Sequence, residues 1–159
     1  MIVLKFKTEI KGNCQEKDHK DWIVIDTWGF GGFRSISVGN NREPSVGNVT
    51  ELTLTKTTDI ASPNLFIESV TGKSLDQATL RVIQTSGSST GKNEPYIELT
   101  LDAPIISSYS VSGNGDSRPT ETFQISFTKI RYKYTHFVEG KAGAPTDKTY
   151  NMLSHTTED

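Results

Sequence analysis

Three histidines and one cysteine are the side chains with the widest chemical repertoire in this sequence: His19, His136, His155 and Cys14. Histidine pairs hold metal ions when they recur at H-x-H or H-E-x-x-H spacing, and none of the three histidines has such a partner. The sequence therefore predicts neither a metal site nor a metal cofactor. A single cysteine also excludes a disulfide within the chain.

Cys14 and His19 stand close enough in sequence to suggest a thiol nucleophile with a histidine base. Both fall in the polar segment GNCQEKDHK, between two predicted strands, and Cys14 is followed by Glu16, Lys17 and Asp18. A lone cysteine in such a loop is usually incidental. We expect no catalysis from this pair.

Four carboxylates, Glu98, Asp102, Asp116 and Glu121, have the residue types of a glycosidase acid and nucleophile pair. They fall in turns and on strand faces that alternate with apolar positions. Carboxylates there are the ordinary solvated surface of a β protein. They predict no active site.

The segment GSSTGKNE looks superficially like a phosphate-binding loop. Only three residues separate Gly87 from Gly91, and Asn93 stands where the motif needs a hydroxyl for Mg²⁺. The segment also leads into a predicted strand, so no helix N-terminus is available to bind a phosphate. We therefore predict no nucleotide cofactor, and the chain is not expected to be an enzyme.

Charge and hydropathy narrow the remaining functions. The 159 residues carry 17 basic and 19 acidic side chains, a net charge of −2, which is too balanced for a typical nucleic-acid-binding domain. No stretch of about 20 apolar residues predicts membrane insertion. The start, MIVLKFKTEIKG, lacks the pattern of a signal peptide. We expect folding in the cytoplasm and, for any export, a route that reads no N-terminal signal.

Strands dominate the predicted elements that position these side chains. Alternating apolar residues predict strands near 2–7, 21–28, 50–56, 78–84, 96–103, 105–111, 122–134 and 148–153. The tail SHTTED is polar and is expected to fray. The pattern indicates one domain, residues 1–159, with a β-sandwich or barrel fold.

One helix is predicted after the strand at 50–56. Ser62 is placed as its N-cap, Pro63 occupies the first helical position and Gly72 ends it. A helix of about ten residues is unstable alone in water, so it is expected to dock on the β structure. The docking stripe is predicted to be Leu65, Phe66, Ser69 and Val70.

The predicted strand at 122–134 changes phase along its length. Phe123, Ile125 and Phe127 share one face, but Ile130, Tyr132 and Tyr134 continue the apolar set on even numbers. A slip of one residue sends later side chains to the other face. Either a β-bulge absorbs the extra residue or the strand bends from one sheet into another.

A long loop of turn-forming residues, GNNREPSVGN, separates two strands and exceeds the usual hairpin length. Such loops are often functional or interfacial, and a plain surface loop is the alternative. The residues of this candidate interface loop are Gly39, Asn40, Asn41, Arg42, Glu43, Pro44, Ser45, Val46, Gly47 and Asn48.

Three segments carry a resemblance to a known family: RPTETFQISFTKIRYKYTH, LTLTKTTDIASPNLFIESVTGKSLDQATL and YIELTLDAPIISSYSVSG. A K-x-x-D-x-x-S-P-x-L run stands here as Lys56, Asp59, Ser62, Pro63 and Leu65. In these segments, across roughly Leu52 to Tyr134, the chain resembles the haemolysin-coregulated protein (Hcp) family, the tube proteins of bacterial type VI secretion. The resemblance implies a mainly β fold: a distorted β-barrel or sandwich of two packed antiparallel sheets with one short flanking α-helix at about 62–71.

The resemblance also implies a function. Family members form homohexameric rings with a wide pore, and the rings stack into a tube that is expelled from a contractile sheath. A spike protein caps the tube, and some members carry or chaperone effectors inside the pore. The loop from Gly39 to Asn48 would then contact a neighbouring subunit or ring. Lys56, Asp59, Ser62 and Pro63 would be folding determinants of the connection from strand to helix.

A function of another class stays open from the residues alone. A monomeric β-sandwich can bind carbohydrate or a protein ligand through aromatic side chains, and Trp28, Phe30 and Phe33 lie near a predicted loop. Such a module needs these rings exposed, whereas tryptophans in strands are more often core residues.

Overall fold

The computed structural model of the chain describes residues 1–39, 42, 45–84 and 93–158. Within them no helix is long and apolar enough to cross a membrane. The strands are β1 (Ile2–Phe6), β2 (Ile23–Ile25), β3 (Thr27–Gly29), β4 (Gly32–Phe33), β5 (Asn48–Val49), β6 (Leu52–Thr57), β7 (Gln77–Ile83), β8 (Pro95–Asp102), β9 (Ile105–Ser112), β10 (Thr120–Ser126), β11 (Lys129–Tyr134), β12 (Phe137–Val138), β13 (Lys141–Ala142), β14 (Thr146–Asn151) and β15 (Thr156–Glu158). The α-helix of the described residues is α1 (Ser62–Thr71), and a short 3-10 helix spans Lys17–His19.

Two antiparallel sheets form the body of the protein. The larger has seven strands in the order β15-β14-β11-β8-β7-β1-β2, and the smaller has four in the order β3-β6-β10-β9. Their facing sides bury alternate residues, as the period-two pattern requires. The largest contributors are Leu4, Phe6, Leu80, Leu99 and Leu101 from the large sheet and Leu52, Leu54, Phe123 and Ile125 from the small one. The predicted mainly β fold of two packed sheets with one flanking helix is confirmed.

The phase change in the long predicted strand is a crossing between sheets. β10 pairs with β6 and β9 in the small sheet, whereas β11 pairs with β8 and β14 in the large one. Phe127 and Thr128 form the corner, where the Thr128 backbone N–H donates to the Asp102 carbonyl at 3.1 Å. Of the two alternatives at this position, the strand bends from one sheet into the other. A separate register shift interrupts β10 between Gln124 and Ile125.

Two further corners join the same sheets. Between β8 and β9 the chain turns at Ala103, which has a φ of 50°, and at Pro104, whose carbonyl accepts the Leu75 N–H at 2.9 Å. Between β2 and β3 it turns at Asp26, whose N–H donates to the Thr55 carbonyl at 2.8 Å. Because three strand pairs cross in this way, the chain runs directly from one sheet into the other at three corners.

α1 begins differently from the prediction. Its N-cap is Ala61, with no side-chain cap, and Ser62 is the first helical residue. The Asp59 carboxylate accepts the Ala61 N–H at 2.9 Å, and the Ser62 hydroxyl accepts the Asp59 N–H at 2.9 Å. Ser62 is thus bound to the turn before the helix. The predicted end is correct: Gly72 has a φ of 68° and its N–H donates to the Glu68 carbonyl at 3.0 Å.

The predicted docking stripe of α1 is wrong in most of its members. Leu65 is fully buried, and the Phe66 ring lies 6.0 Å from the Tyr109 ring of β9. Phe66 is nevertheless half exposed, Ser69 is only partly covered and Val70 is exposed. The helix rests on the edge strand β9, so only a narrow side of it meets the core.

The tail is ordered where fraying was predicted. β15 pairs with β14 through Thr156, Thr157 and Glu158. The Glu158 carboxylate accepts the Asn151 amide at 2.9 Å and lies 2.6 Å from the Lys129 ammonium. These contacts come from strands earlier in the chain, which the composition of the tail does not reveal.

The segment from Gly12 to Asp21 covers the outer side of the large sheet. The Gly12 N–H donates to the Asp21 carbonyl at 2.8 Å, and the Cys14 N–H donates to the Trp22 carbonyl at 3.0 Å. A second small core results, made of Val3, Cys14, Trp22 and Ile83. This loop is polar in composition but is packed against the sheet.

Gly12 offers a test of that packing. A Cβ at this position would lie 2.4 Å from the Trp22 carbonyl oxygen and 2.5 Å from the Ile23 Cα, both backbone atoms. We expect Gly12→Ala to lower the free energy of unfolding by about 1–3 kcal/mol, as overpacking does, measured by urea denaturation. Gly29→Ala is the matched control, because nothing lies within 4 Å of its Cβ. Equal effects of the two substitutions would contradict the close approach.

Candidate assembly surface

The K-x-x-D-x-x-S run places a buried ammonium group between β6 and α1. Lys56 is fully buried, and its Nζ donates to Glu121 Oε2 at 2.5 Å, Asp59 Oδ1 at 2.8 Å and Ser62 Oγ at 3.2 Å. A fourth bond goes to the carbonyl of Thr57 at 3.1 Å. A charge taken out of water is tolerated only when it is paired and hydrogen-bonded in this way.

Glu121, on β10, is the counter-ion and is also fully buried. Burial alone would raise the pKa of its carboxyl. Hydrogen bonds from Lys56, Ser62 and Tyr109, with the Lys56 charge, outweigh burial and hold the pKa below its ordinary value. In turn, burial and the hydrogen bond to Glu121 raise the pKa of the Tyr109 phenol. Glu121 is therefore an ionised structural group, and its partners leave it no free position as a catalytic acid.

These contacts give the motif residues a physical role. Lys56 and Asp59 join the end of β6 to the start of α1, Ser62 joins both to Glu121, and Pro63 follows within the first turn. We expect all four to act as determinants of the fold.

Lys56→Met tests this expectation. The substitution fills the same space but leaves the Glu121 carboxylate buried without its cation, so we expect a loss of about 3–5 kcal/mol in the free energy of unfolding. Denaturation with urea measures it. Lys129→Met is the matched control: it removes a part-exposed ion pair with Glu158, and exposed pairs contribute little. A wild-type stability for Lys56→Met would contradict the proposed role.

The predicted interface loop belongs to a projecting two-limbed segment, which we call the arm and define as the described residues of 30–49. Gly32 pairs with Val49 and Phe33 with Asn48 at its base. Farther out, the Ser45 N–H donates to the Ser35 carbonyl at 2.9 Å, and the Ser35 N–H donates to the Ser45 hydroxyl at 2.9 Å. The predicted loop residues Asn40, Asn41, Glu43 and Pro44 lie outside the described residues. The others belong to the arm: Asn48 is at its base, and Gly39, Arg42, Ser45, Val46 and Gly47 lie beyond the base.

Apolar side chains of the arm face solvent. Phe33, Ile36, Val38 and Val46 are all exposed, and Val38 is completely so. At the base of the arm, an open groove of about 460 Å³ is walled by Phe33, Val49 and the Tyr150 ring, with Arg34 at its side. Exposed apolar groups clustered on one projection are typical of a surface that a partner covers.

His19 is not the polar-loop residue that the sequence suggested. It is buried, its ring Nδ1 lies 2.6 Å from a Glu16 carboxylate oxygen, and its Nε2 lies 3.3 Å from an Arg81 guanidinium nitrogen. Because a guanidinium only donates, Nε2 accepts and Nδ1–H donates to Glu16. Both ring nitrogens are therefore engaged, and neither is left to serve Cys14 as a base.

Glu16 anchors this cluster. Burial by itself would raise its pKa, but hydrogen bonds from His19, the Asn93 amide and the Asp18 N–H lower the pKa from 4.5 to about 2. Since the folded-state pKa is depressed, the ionised carboxylate stabilises the fold above the unfolded-state pKa, and protonation removes that contribution.

A pH series on Glu16→Gln tests the cluster. We expect the wild type to be more stable than the variant above about pH 4.5, with the difference shrinking as the pH falls from there toward about 2. Urea denaturation at each pH measures the difference. A difference that stays constant over this range would show that the carboxylate charge contributes nothing.

The four carboxylates suspected of glycosidase chemistry have separate structural partners. Glu98 accepts the Arg81 Nε–H at 2.7 Å, and Asp102 accepts the Gln77 amide at 3.2 Å. Asp116 lies in a turn closed by Asn114, and Glu121 is held in the Lys56 cluster. The structure does not bring these four together as an acid and nucleophile pair.

The remaining candidates for chemistry add no site. Among the described residues, no three histidine, cysteine or acidic side chains are grouped to hold a metal ion. His136 lies in the connection between β11 and β12, and His155 lies in the turn before β15. Of the glycine-rich segment that resembles a phosphate loop, 87–94, residues 87–92 lie outside the described residues.

The aromatic residues invoked for a monomeric binding module are split between two places. Trp28 and Phe30 stack at 6.2 Å and are packed against the main core, and the Phe30 ring also contacts Tyr132 at 5.7 Å. Phe33 is exposed on the arm. These three rings do not form one exposed platform for a sugar.

The exposed side of α1 is a surface that sequence reasoning missed. Three apolar residues of the helix, Phe66, Ile67 and Val70, are exposed at 49%, 50% and 67%, and Ile60 in the turn just before the helix adds a fourth at 62%. The available signal was the spread of apolar residues around most of the helix, wider than the stripe that a single docking contact needs.

The chain was compared with protein-family models and with known proteins. The family model described as "Type VI secretion system effector, Hcp" matches residues 3–134. The protein hcp1 of Pseudomonas aeruginosa is 30% identical over 149 residues, which cover 91% of this chain and 90% of that protein.

Solved structures show the same fold. A type six secretion system protein superposes with a TM-score of 0.90 at 21% identity, covering 99% of this chain and 98% of the other. Hcp1 from Salmonella typhimurium superposes with a TM-score of 0.81 at 24% identity, covering 99% and 97%.

Proposed function

Because the chain belongs to the Hcp family of type VI secretion proteins, we propose that it is a structural subunit of the secretion tube that forms hexameric rings. In this proposal the rings stack into the inner tube and are expelled with it. The protein has no catalytic role of its own. In the same proposal it folds in the cytoplasm before assembly and leaves through the secretion apparatus.

The exposed apolar side chains of the arm are the observation that carries the proposal. Hydrogen bonds between its two limbs hold the arm together, so it is a formed element in the isolated subunit. Its apolar groups remain in water in the isolated subunit, which costs free energy that burial against a neighbour recovers. A preformed arm also loses little conformational entropy on binding.

A ring follows when the arm reaches a different surface of the next subunit. Such a contact is heterologous. Repeating it generates a closed ring when the rotations from subunit to subunit add up to a full turn. A contact between two arms would instead be two-fold symmetric and would stop at a dimer. The interface loop, Gly39 to Asn48, is proposed as the element that contacts a neighbouring subunit or ring, and its described residues belong to the arm.

The other proposed partners follow from the family. A spike protein would cap the tube, a contractile sheath would surround it, and effectors would be carried in the pore. The family membership supports these partners, and purification of the assembled apparatus with this chain would test them.

Native mass spectrometry of the full chain, with negative-stain images of the same sample, tests the ring. We expect a mass of six subunits and particles with an open centre, because the arm contacts repeat from copy to copy. A stable monomer at high protein concentration would overturn the proposal.

A variant of the arm tests which element makes the contact. The double substitution Val38→Asp with Val46→Asp places charge on exposed apolar positions, so we expect a folded subunit that no longer forms rings in native mass spectrometry. The far-UV circular dichroism spectrum checks the fold. Leu153→Asp is the matched control, since Leu153 is also exposed but lies off the arm, and it should leave the rings intact. Rings of the double variant would show that the arm is dispensable.

A further inference from the structure

Two apolar surfaces of this subunit remain exposed. The first, the arm face, consists of Phe33, Ile36, Val38 and Val46. The second, the helix face, consists of Ile60, Phe66, Ile67 and Val70. Each presents several large apolar side chains on one element, which a single scattered residue would not do.

The position of these faces in the fold decides what can cover them. The arm follows directly after β3, which is one edge of the four-stranded sheet. α1 rests on β9, which is the opposite edge of the same sheet. The arm face and the helix face therefore lie at opposite edges of this sheet, and two different surfaces are what a head-to-tail contact between copies requires.

The charges of the two elements are complementary. The sequence from 30 to 49 contains Arg34, Arg42 and Glu43, so its net charge is +1. In α1 the single charged residue is Glu68, which gives the helix a net charge of −1. Glu68 lies between Ile67 and Ser69 and is only partly covered. An arginine of an approaching arm would find a carboxylate beside the apolar patch.

We propose that the arm face of one copy packs on the helix face of the next copy within the ring, with an arm arginine paired to Glu68. The inference rests on the self-assembly proposed above and names the two surfaces that meet. It gives a reason for the apolar residues of α1 that contribute nothing to the subunit's own core. Among the apolar residues of α1, only Leu65 is fully buried in the subunit. The proposed contact would therefore also stabilise this short helix on assembly.

Cross-linking through engineered cysteines tests the contact. The chain has one native cysteine, Cys14, which is buried, so added surface thiols react selectively. The variant Val38→Cys with Val70→Cys carries one thiol on each face. Rings of this variant are isolated by size exclusion and treated with a short flexible bis-maleimide. We expect a ladder on a denaturing gel that ends at six subunits.

Single variants and a matched control pair show whether the cross-link joins the arm of one copy to the helix of another. An equimolar mixture of Val38→Cys and Val70→Cys, reassembled together, should give cross-linked dimers and no longer products, whereas each variant alone should give none. Val38→Cys with Thr149→Cys is the matched control, because Thr149 lies on β14 of the large sheet beside a polar groove, and it should give no ladder. Dimers from Val38→Cys alone would mean contact between arms and would overturn the inference.

Charge reversal supplies a second measurement. Glu68→Arg should weaken ring formation by up to about fivefold per contact, as expected for loss of an exposed ion pair, and Arg34→Glu or Arg42→Glu in the same chain should restore it. Six-subunit masses without a ladder between the two faces, and without rescue, would overturn this inference and leave the proposed ring standing. A monomeric wild type would overturn both.

Discussion

The buried ion pair between Lys56 and Glu121 is the interaction on which the small sheet and its helix depend. Both charges are out of water, and an unpaired charge there would be far more costly than the pair. Satisfying Lys56 requires Asp59 and Ser62 from the start of α1, and satisfying Glu121 recruits Tyr109 from β9. This one cluster thereby fixes β6, β10, the edge strand β9 and the start of α1 relative to one another.

The two sheets are held together by covalent continuity as well as by their core. Chain passes from one sheet to the other at Asp26, at Ala103 with Pro104, and at Phe127 with Thr128. Each corner has a backbone hydrogen bond to a neighbouring segment, which ties the change of sheet to the rest of the fold. A body connected at three corners is a rigid support for the arm, which in the proposed ring meets another subunit in a defined orientation.

The interior of the subunit is well packed, but its surface leaves apolar side chains exposed to water. In the described residues every buried side-chain nitrogen or oxygen has a hydrogen-bond partner. Apolar groups on the arm and on α1 nevertheless remain in water at opposite edges of one sheet. A protein with a satisfied interior and two such surfaces has the physical character of an assembly unit, which agrees with its place in the Hcp family.

Elements whose causes are local could be predicted from the sequence. Alternation at Leu52 and Leu54 predicted a strand, Gly72 predicted the end of α1, and the phase change after Phe127 predicted either a bulge or a bend. The tertiary structure decided what depends on distant partners: the bend at Thr128, the counter-ion of Lys56, which lies 65 residues away, and the strand at Thr156–Glu158. The candidate site divides in the same way. The turn-forming composition of the loop from Gly39 to Asn48 made it a candidate from the sequence. The exposed helix face depends on how much of the α1 surface the edge strand β9 buries. No local sequence pattern encodes that buried area.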